Sequence, residues 1–154
     1  MDEPFIVEMA RLACTIEDRP LPANDAGDVI AMLPGPGDCA VVAVDDKGRR
    51  LGAAWWCFRQ PPLVEDEHGG PVPEMAMAVV ADARGQGIGS ALIEALADEA
   101  AQHFSQLSLN VHLRNPAARL YTRTGFRVAG AGRGWFGVAM RRPLTTEPRP
   151  GETS

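Results

Sequence analysis

The sequence predicts an α/β (α+β) chain with the element order helix, strand, strand, strand, helix, strand, helix, strand, strand. Three observations predict it. The apolar run Met75-Ala76-Met77-Ala78-Val79-Val80 leads into Ala83-Arg84-Gly85-Gln86-Gly87-Ile88-Gly89-Ser90, so a strand enters a glycine-rich turn that opens onto a helix. Behind the turn Ile88, Leu92, Ala95 and Leu96 recur at helical spacing, and Ser90, Glu94, Asp98 and Gln102 fall on the opposite face. On either side, pairs of apolar runs flank short turn-rich stretches, which reads as hairpins.

Taken in order, Phe5, Met9, Leu12 and Ile16 predict an amphipathic helix from about 3 to 17, with Asp2 as cap and Pro4 in its first turn. Asp18 to Pro36 is rich in proline, glycine and aspartate and holds at most a short helix near 25–33. Cys39 to Asp45 is apolar on both faces and reads as a buried strand, Asp46-Lys47-Gly48-Arg49 as a hairpin turn, and Leu51 to Phe58 as the partner strand. Gln60 to Pro73 is a loop carrying the acidic triplet Glu65-Asp66-Glu67, which reads as solvated. Leu107, Leu109, Val111 and Leu113 alternate with Ser108, Asn110 and His112, giving a strand with one apolar face. The next helix has Asn115 as N-cap, Pro116 at its first position and Gly125 just past its end. Phe126 to Ala129 and Trp135 to Met140 form a last hairpin around residues 130–134. Residues 1–144 read as one domain, and 145–154 have nothing to bury and read as a disordered tail.

Composition bounds the function. A chain of 154 residues supports one real core. Its net charge of −5 argues against nucleic acid or an anionic membrane as partner. No apolar run reaches the roughly 18 residues that would span a bilayer, and Met1-Asp2-Glu3-Pro4 lacks the basic start of a signal peptide, so the cytoplasm is expected. Cys14, Cys39 and Cys57 are odd in number and set among apolar residues. They suit neither a disulfide framework nor a zinc site, and no metal is expected.

The glycine-rich turn carries the chemistry. Glycines at 85, 87 and 89 bare backbone amides where a helix begins, the macrodipole adds partial positive charge there, and Arg84 adds a full one. Such a turn binds phosphate oxygens. It is not a Walker loop, for it has no lysine, and the spacing misses a dinucleotide fingerprint, because Ser90 or Leu92 stands where a third glycine is needed. Arg84-x-x-Gly87-x-Gly89 resembles the coenzyme A pyrophosphate loop of the GCN5-related N-acetyltransferases (GNATs). Asn115-Pro116-Ala117-Ala118-Arg119-Leu120-Tyr121-Thr122-Arg123-Thr124-Gly125-Phe126 resembles the second motif of that family, NxxAxxLYxxxGF. The resemblance runs from about Leu51 to Met140.

The resemblance implies a mixed, mostly antiparallel sheet with helices on both faces. The family's first strand is absent here, so either the sheet lacks that edge or the chain begins upstream. It implies acetyl-coenzyme A (acetyl-CoA) as co-substrate, bound by Val79, Arg84, Gly85, Gln86, Gly87, Ile88, Gly89, Ser90, Asn115, Ala118 and Tyr121, and transfer of its acetyl group to an amine by direct attack. Glu74, at the start of the strand that feeds the loop, is the expected proton acceptor, with His112 as runner-up; His68 and His103 read as surface residues. Tyr121 is the expected donor to the departing thiolate, turned toward the cofactor while Leu120 faces the core. Asn115 either meets the pantetheine arm or only caps its helix. Of Trp55 and Trp56, on opposite strand faces, one is expected in the core and the other at the acceptor pocket. Transfer of another acyl group, or an acyl-CoA sensor without turnover, are the alternatives. Left as an apolar edge, Cys39–Asp45 calls for a cover, either a homodimer partner or upstream chain.

Overall fold

A computed structural model describes residues 3–13, 33–35, 38–59, 61–112, 114–133 and 136–144. The expectations for Asp2, residues 14–17 of the first helix, Cys14, the short helix near 25–33, Leu113, Trp135 and the tail 145–154 lie outside the described residues. The elements are α1 (Glu3–Ala13), β1 (Ala40–Val44), β2 (Arg50–Cys57), β3 (Glu74–Val79), a 3₁₀ turn at Ala81–Ala83, α2 (Ile88–Ala100), β4 (Gln106–His112), α3 (Ala117–Arg123), β5 (Arg127–Ala131) and β6 (Gly137–Pro143). They build a six-stranded sheet in the order β1-β2-β3-β4-β6-β5. Every neighbouring pair is antiparallel except β3 and β4.

Strand alternation sorts the apolar residues onto two faces. Ala53 and Trp55 of β2 bury against Ile6, Met9 and Ala10 of α1. On the other face Ala54, Trp56, Met75, Leu107, Leu109, Val111 and Met140 pack with Leu92, Ile93 and Leu96 of α2 and with Tyr121 and Phe126. Helices therefore cover both faces. Each large apolar side chain fully buried in these layers contributes roughly 1.5–3 kcal/mol. Both tryptophans are core residues, one per face, which corrects the expectation that one lies at an open pocket.

Two other expectations shift. The buried stripe of α2 is Leu92, Ile93, Leu96, Ala97 and Ala100, while Ala95 is exposed. Glu94 is not simply solvated either, because Arg142 of β6 pairs with its carboxylate at 2.8 Å. β1 is the sheet edge expected of it, but it is half-buried rather than buried. It bonds to β2 alone among the described strands, and Val44 at its end is 54% exposed.

Candidate active site

β3 and β4, the parallel pair, are joined at a single point. Glu74 sits opposite Ser108, and the Pro73 carbonyl accepts both the Ser108 N–H at 2.9 Å and its hydroxyl at 3.0 Å. Beyond this vertex Met75–Val79 pairs with β2, and Leu109–His112 pairs with β6. Two parallel strands tied only near their starts diverge toward their carboxyl ends. The sheet thus opens in its middle, where open α/β sheets take ligands.

The chain leaves β3 through the 3₁₀ turn and reaches the glycine loop at that open end. Gly85 and Gly87 have φ of 77° and 81°, the left-handed region that glycine enters without strain. Gly87 is the N-cap of α2 and no side chain caps that helix, so the first-turn amides keep their hydrogen-bonding capacity for a ligand. Gly89 serves a different end. A Cβ there would lie 2.8 Å from Leu120 Cδ2 and 3.5 Å from Met77 Cε, so its bareness lets α3 close against the start of α2. Arg84 is exposed at the lip, its Nε donating to the Val79 carbonyl at 3.3 Å. Gln86 is exposed, and Ile88 and Ser90 are half-buried.

α3 has the punctuation its sequence announces. The Asn115 side-chain oxygen accepts the Ala117 N–H at 2.9 Å, Pro116 has helical φ of −62°, and Gly125 has φ of 97°. Ala118 is half-buried against the main core. Leu120 packs against the main core as expected, but Tyr121 is buried in the same core rather than turned outward. Leu120 meets α2 at Gly89, whereas Tyr121 is 7% exposed with its ring 5.9 Å from that of Phe126. Burial pushes the Tyr121 hydroxyl up to about 12, so at neutral pH it holds its proton and can donate it in a hydrogen bond.

Glu74 stands at the vertex, on the α1 face, and is 6% exposed. Arg133 Nη1 lies 2.5 Å from both of its carboxylate oxygens, and Arg59 Nη1 is 3.9 Å from Oε1. Cys57 is its cross-strand partner. Burial first, then the charge of Glu74, pushes the Cys57 thiol up to about 11, which keeps it protonated. His112 is less suited to act as a base. Its Nδ1 accepts the Arg114 N–H at 3.0 Å, which leaves the neutral ring's proton on Nε2. His68 and His103 are exposed, as expected. Asp66, centre of the acidic triplet, spends Oδ1 on the N–H groups of Gly70 and His68, and these bonds hold its carboxyl below the usual range.

Neither Ser108 nor Arg133 stands out in the sequence as a site residue. Ser108 shows only as one polar position in an alternating strand, and Arg133 as one charge in a glycine-rich turn.

An opened parallel pair beside an uncapped glycine loop and helix N-terminus gives a cleft with an anion-binding end, the arrangement expected of an acyl-CoA-dependent acyltransferase. The profile of the acetyltransferase (GNAT) domain matches residues 36–128. A GCN5-related N-acetyltransferase from Kribbella flavida is 30% identical over 92% of this chain and 89% of its own, with a TM-score of 0.64. A GNAT superfamily phosphinothricin acetyltransferase from Sinorhizobium meliloti, solved in complex with acetyl-CoA, is 25% identical over 97% of this chain and 89% of its own, at a TM-score of 0.66. A ribosomal-protein-alanine N-acetyltransferase from Brucella melitensis, 22% identical over 93% of this chain and 94% of its own, shares the fold at 0.64. No curated protein sequence matches the chain. The chain belongs to the GNAT family, whose co-substrate is acetyl-CoA. Among the described residues no helix is long and apolar enough to cross a membrane.

Proposed function

We propose that the protein transfers the acetyl group of acetyl-CoA to a primary amine, on a small molecule or a protein, by direct attack at the thioester carbon. The observation that carries this is the single join between β3 and β4, which leaves facing strand edges unpaired directly beside the uncapped loop. Arg84, Gly85, Gln86, Gly87, Ile88, Gly89 and Ser90 hold the pyrophosphate. Val79, Ala118 and Asn115 meet the pantetheine arm. Asn115 can do so while capping α3, since the cap uses its oxygen and leaves its NH₂ free to donate.

A free alkyl amine has a pKa of about 10.4 and attacks only when neutral. Glu74 takes the proton that the nitrogen sheds as its bond to the acyl carbon forms. A carboxylate offers about four acceptor positions, so contact with Arg133 leaves others for the acceptor's N–H. As the carbon–sulfur bond breaks, the Tyr121 hydroxyl donates to the thiolate. Solvent then carries the proton from Glu74 to the thiolate, and the products are the amide and free coenzyme A.

The test is thiol release from acetyl-CoA across a broad amine panel, alongside calorimetry of acetyl-CoA binding. Acetylation of one amine class is the expected result. Tight binding with no turnover on any amine would make the protein a sensor instead.

A further inference from the structure

Arg133 lies in the connection between β5 and β6, yet its half-buried guanidinium reaches residues far away in sequence. Nη1 reaches both oxygens of Glu74, Nη2 donates to the Pro61 carbonyl at 2.7 Å, and the backbone N–H donates to the Asn110 side-chain oxygen at 2.8 Å. We propose that Arg133 is the positioning residue of Glu74, fixing its carboxylate at the vertex of the cleft and tying to it the loop before β3 and the β5–β6 connection. The proposal rests on Glu74 being the proton acceptor.

The backbone of Arg133 is itself held. Gly132 donates to the Gly137 carbonyl at 2.9 Å, and a Cβ on Gly132 would collide with the Asn110 side chain and the backbone of β6. The guanidinium is therefore delivered from a fixed point on β4, the strand across the vertex from Glu74. The guanidinium serves the carboxylate through one nitrogen and the Pro61 carbonyl through another, whereas a lysine would have to serve all three oxygens from a single nitrogen. Arg59 does not replace it, because at 3.9 Å it adds charge without a hydrogen bond. Asp38 is also within electrostatic reach of this cluster, through its effect on Cys57, but its Oδ2 accepts the Gly35 N–H at 2.7 Å. Directional control of Glu74 thus comes from Arg133. Both carboxylate oxygens are drawn to one side, and the remaining lone pairs are left for an incoming amine.

The experiment compares Arg133→Ala, Arg133→Lys, Glu74→Gln and the double variant Glu74→Gln/Arg133→Ala. It measures kcat, acetyl-CoA affinity and melting temperature on the full chain with the best amine of the panel. Arg133→Ala should lower kcat by roughly 10- to 100-fold, the scale for a displaced reacting group, with acetyl-CoA affinity unchanged. Added guanidinium ion should restore part of the rate, and Arg133→Lys should retain only part of it. In the Glu74→Gln background, removing Arg133 should cost no further turnover, because the two act as one unit. Full activity in Arg133→Ala, or the same fractional loss with and without Glu74, would overturn the proposal. Should Arg133→Ala fail to fold, Arg133→Lys at full turnover would overturn it equally. An active Glu74→Gln instead sinks the assignment of Glu74 as base, which separates the two failures.

Discussion

Tyr121→Phe removes one hydroxyl from a side chain that is almost wholly buried, and the cost to turnover can be worked out. Burial raises this phenol to about 12. A departing thiolate has a conjugate acid near 8.5, so complete proton transfer is uphill by about 3.5 pK units, close to 5 kcal/mol at 1.36 kcal/mol per unit. The hydroxyl therefore contributes chiefly as a hydrogen-bond donor to developing negative charge. Such a bond is worth about 1.5–3 kcal/mol, so Phe should lower kcat by roughly 10- to 150-fold. Melting temperature and acetyl-CoA affinity should hardly move, since the ring contact with Phe126 remains. Tyr121→Ala, by contrast, should destabilise by about 3–5 kcal/mol. Stopped-flow or steady-state thiol release gives the first number and chemical denaturation the second. A fully active, normally stable Phe variant would remove Tyr121 from the chemistry and leave it a core residue.

Other outcomes follow from single features. Arg84→Ala should weaken coenzyme A binding by about 1.5–3 kcal/mol, and Gly87→Val should weaken it more because a β-branched residue is strained at φ of 81°; dephospho-coenzyme A should lose little at this loop, and calorimetry measures all three. Cys57, raised from 9.0 to about 11, should form about 100-fold less thiolate than an ordinary cysteine and resist thiol reagents at pH 8 in proportion. The unfolded chain loses the protons of Cys57 and Tyr121 before the native state does. Their contribution to stability is therefore whole below about pH 9 and falls between about pH 9 and 12, which denaturation curves at stepped pH will show. We expect the open side of β1 to be covered by a second subunit or by another segment of chain. A solution monomer with rapidly exchanging amides along Ala40–Val44 would contradict both covers.

Local features were legible in the sequence. The caps of α3 at Asn115 and Gly125 and the left-handed glycines of the loop depend on neighbours within a few residues, and each is found where its residue type places it. Features set by distant contacts were not. That Tyr121 is buried beside Phe126 depends on how α3 packs against the sheet. Glu74 stands out in the sequence as the expected proton acceptor, but nothing near it in the chain announces its partner Arg133, which is 59 residues away. Likewise the opening of the sheet depends on the Pro73 carbonyl meeting Ser108 and on no further bonds forming, a fact about two strands that neither strand carries alone. The half-burial of β1 has the same origin, since its apolar sequence says nothing about how many neighbours it will find.

The most direct measurement is a titration of isotope-labelled protein with acetyl-CoA, following backbone amides by NMR. Saturable shifts should be largest at Gly85–Ser90 and along the facing edges of β3 and β4 beyond Glu74 and Ser108, and small at α1 and β1. Shifts centred elsewhere, or none at saturating ligand, would contradict the placement of acetyl-CoA in the opened sheet.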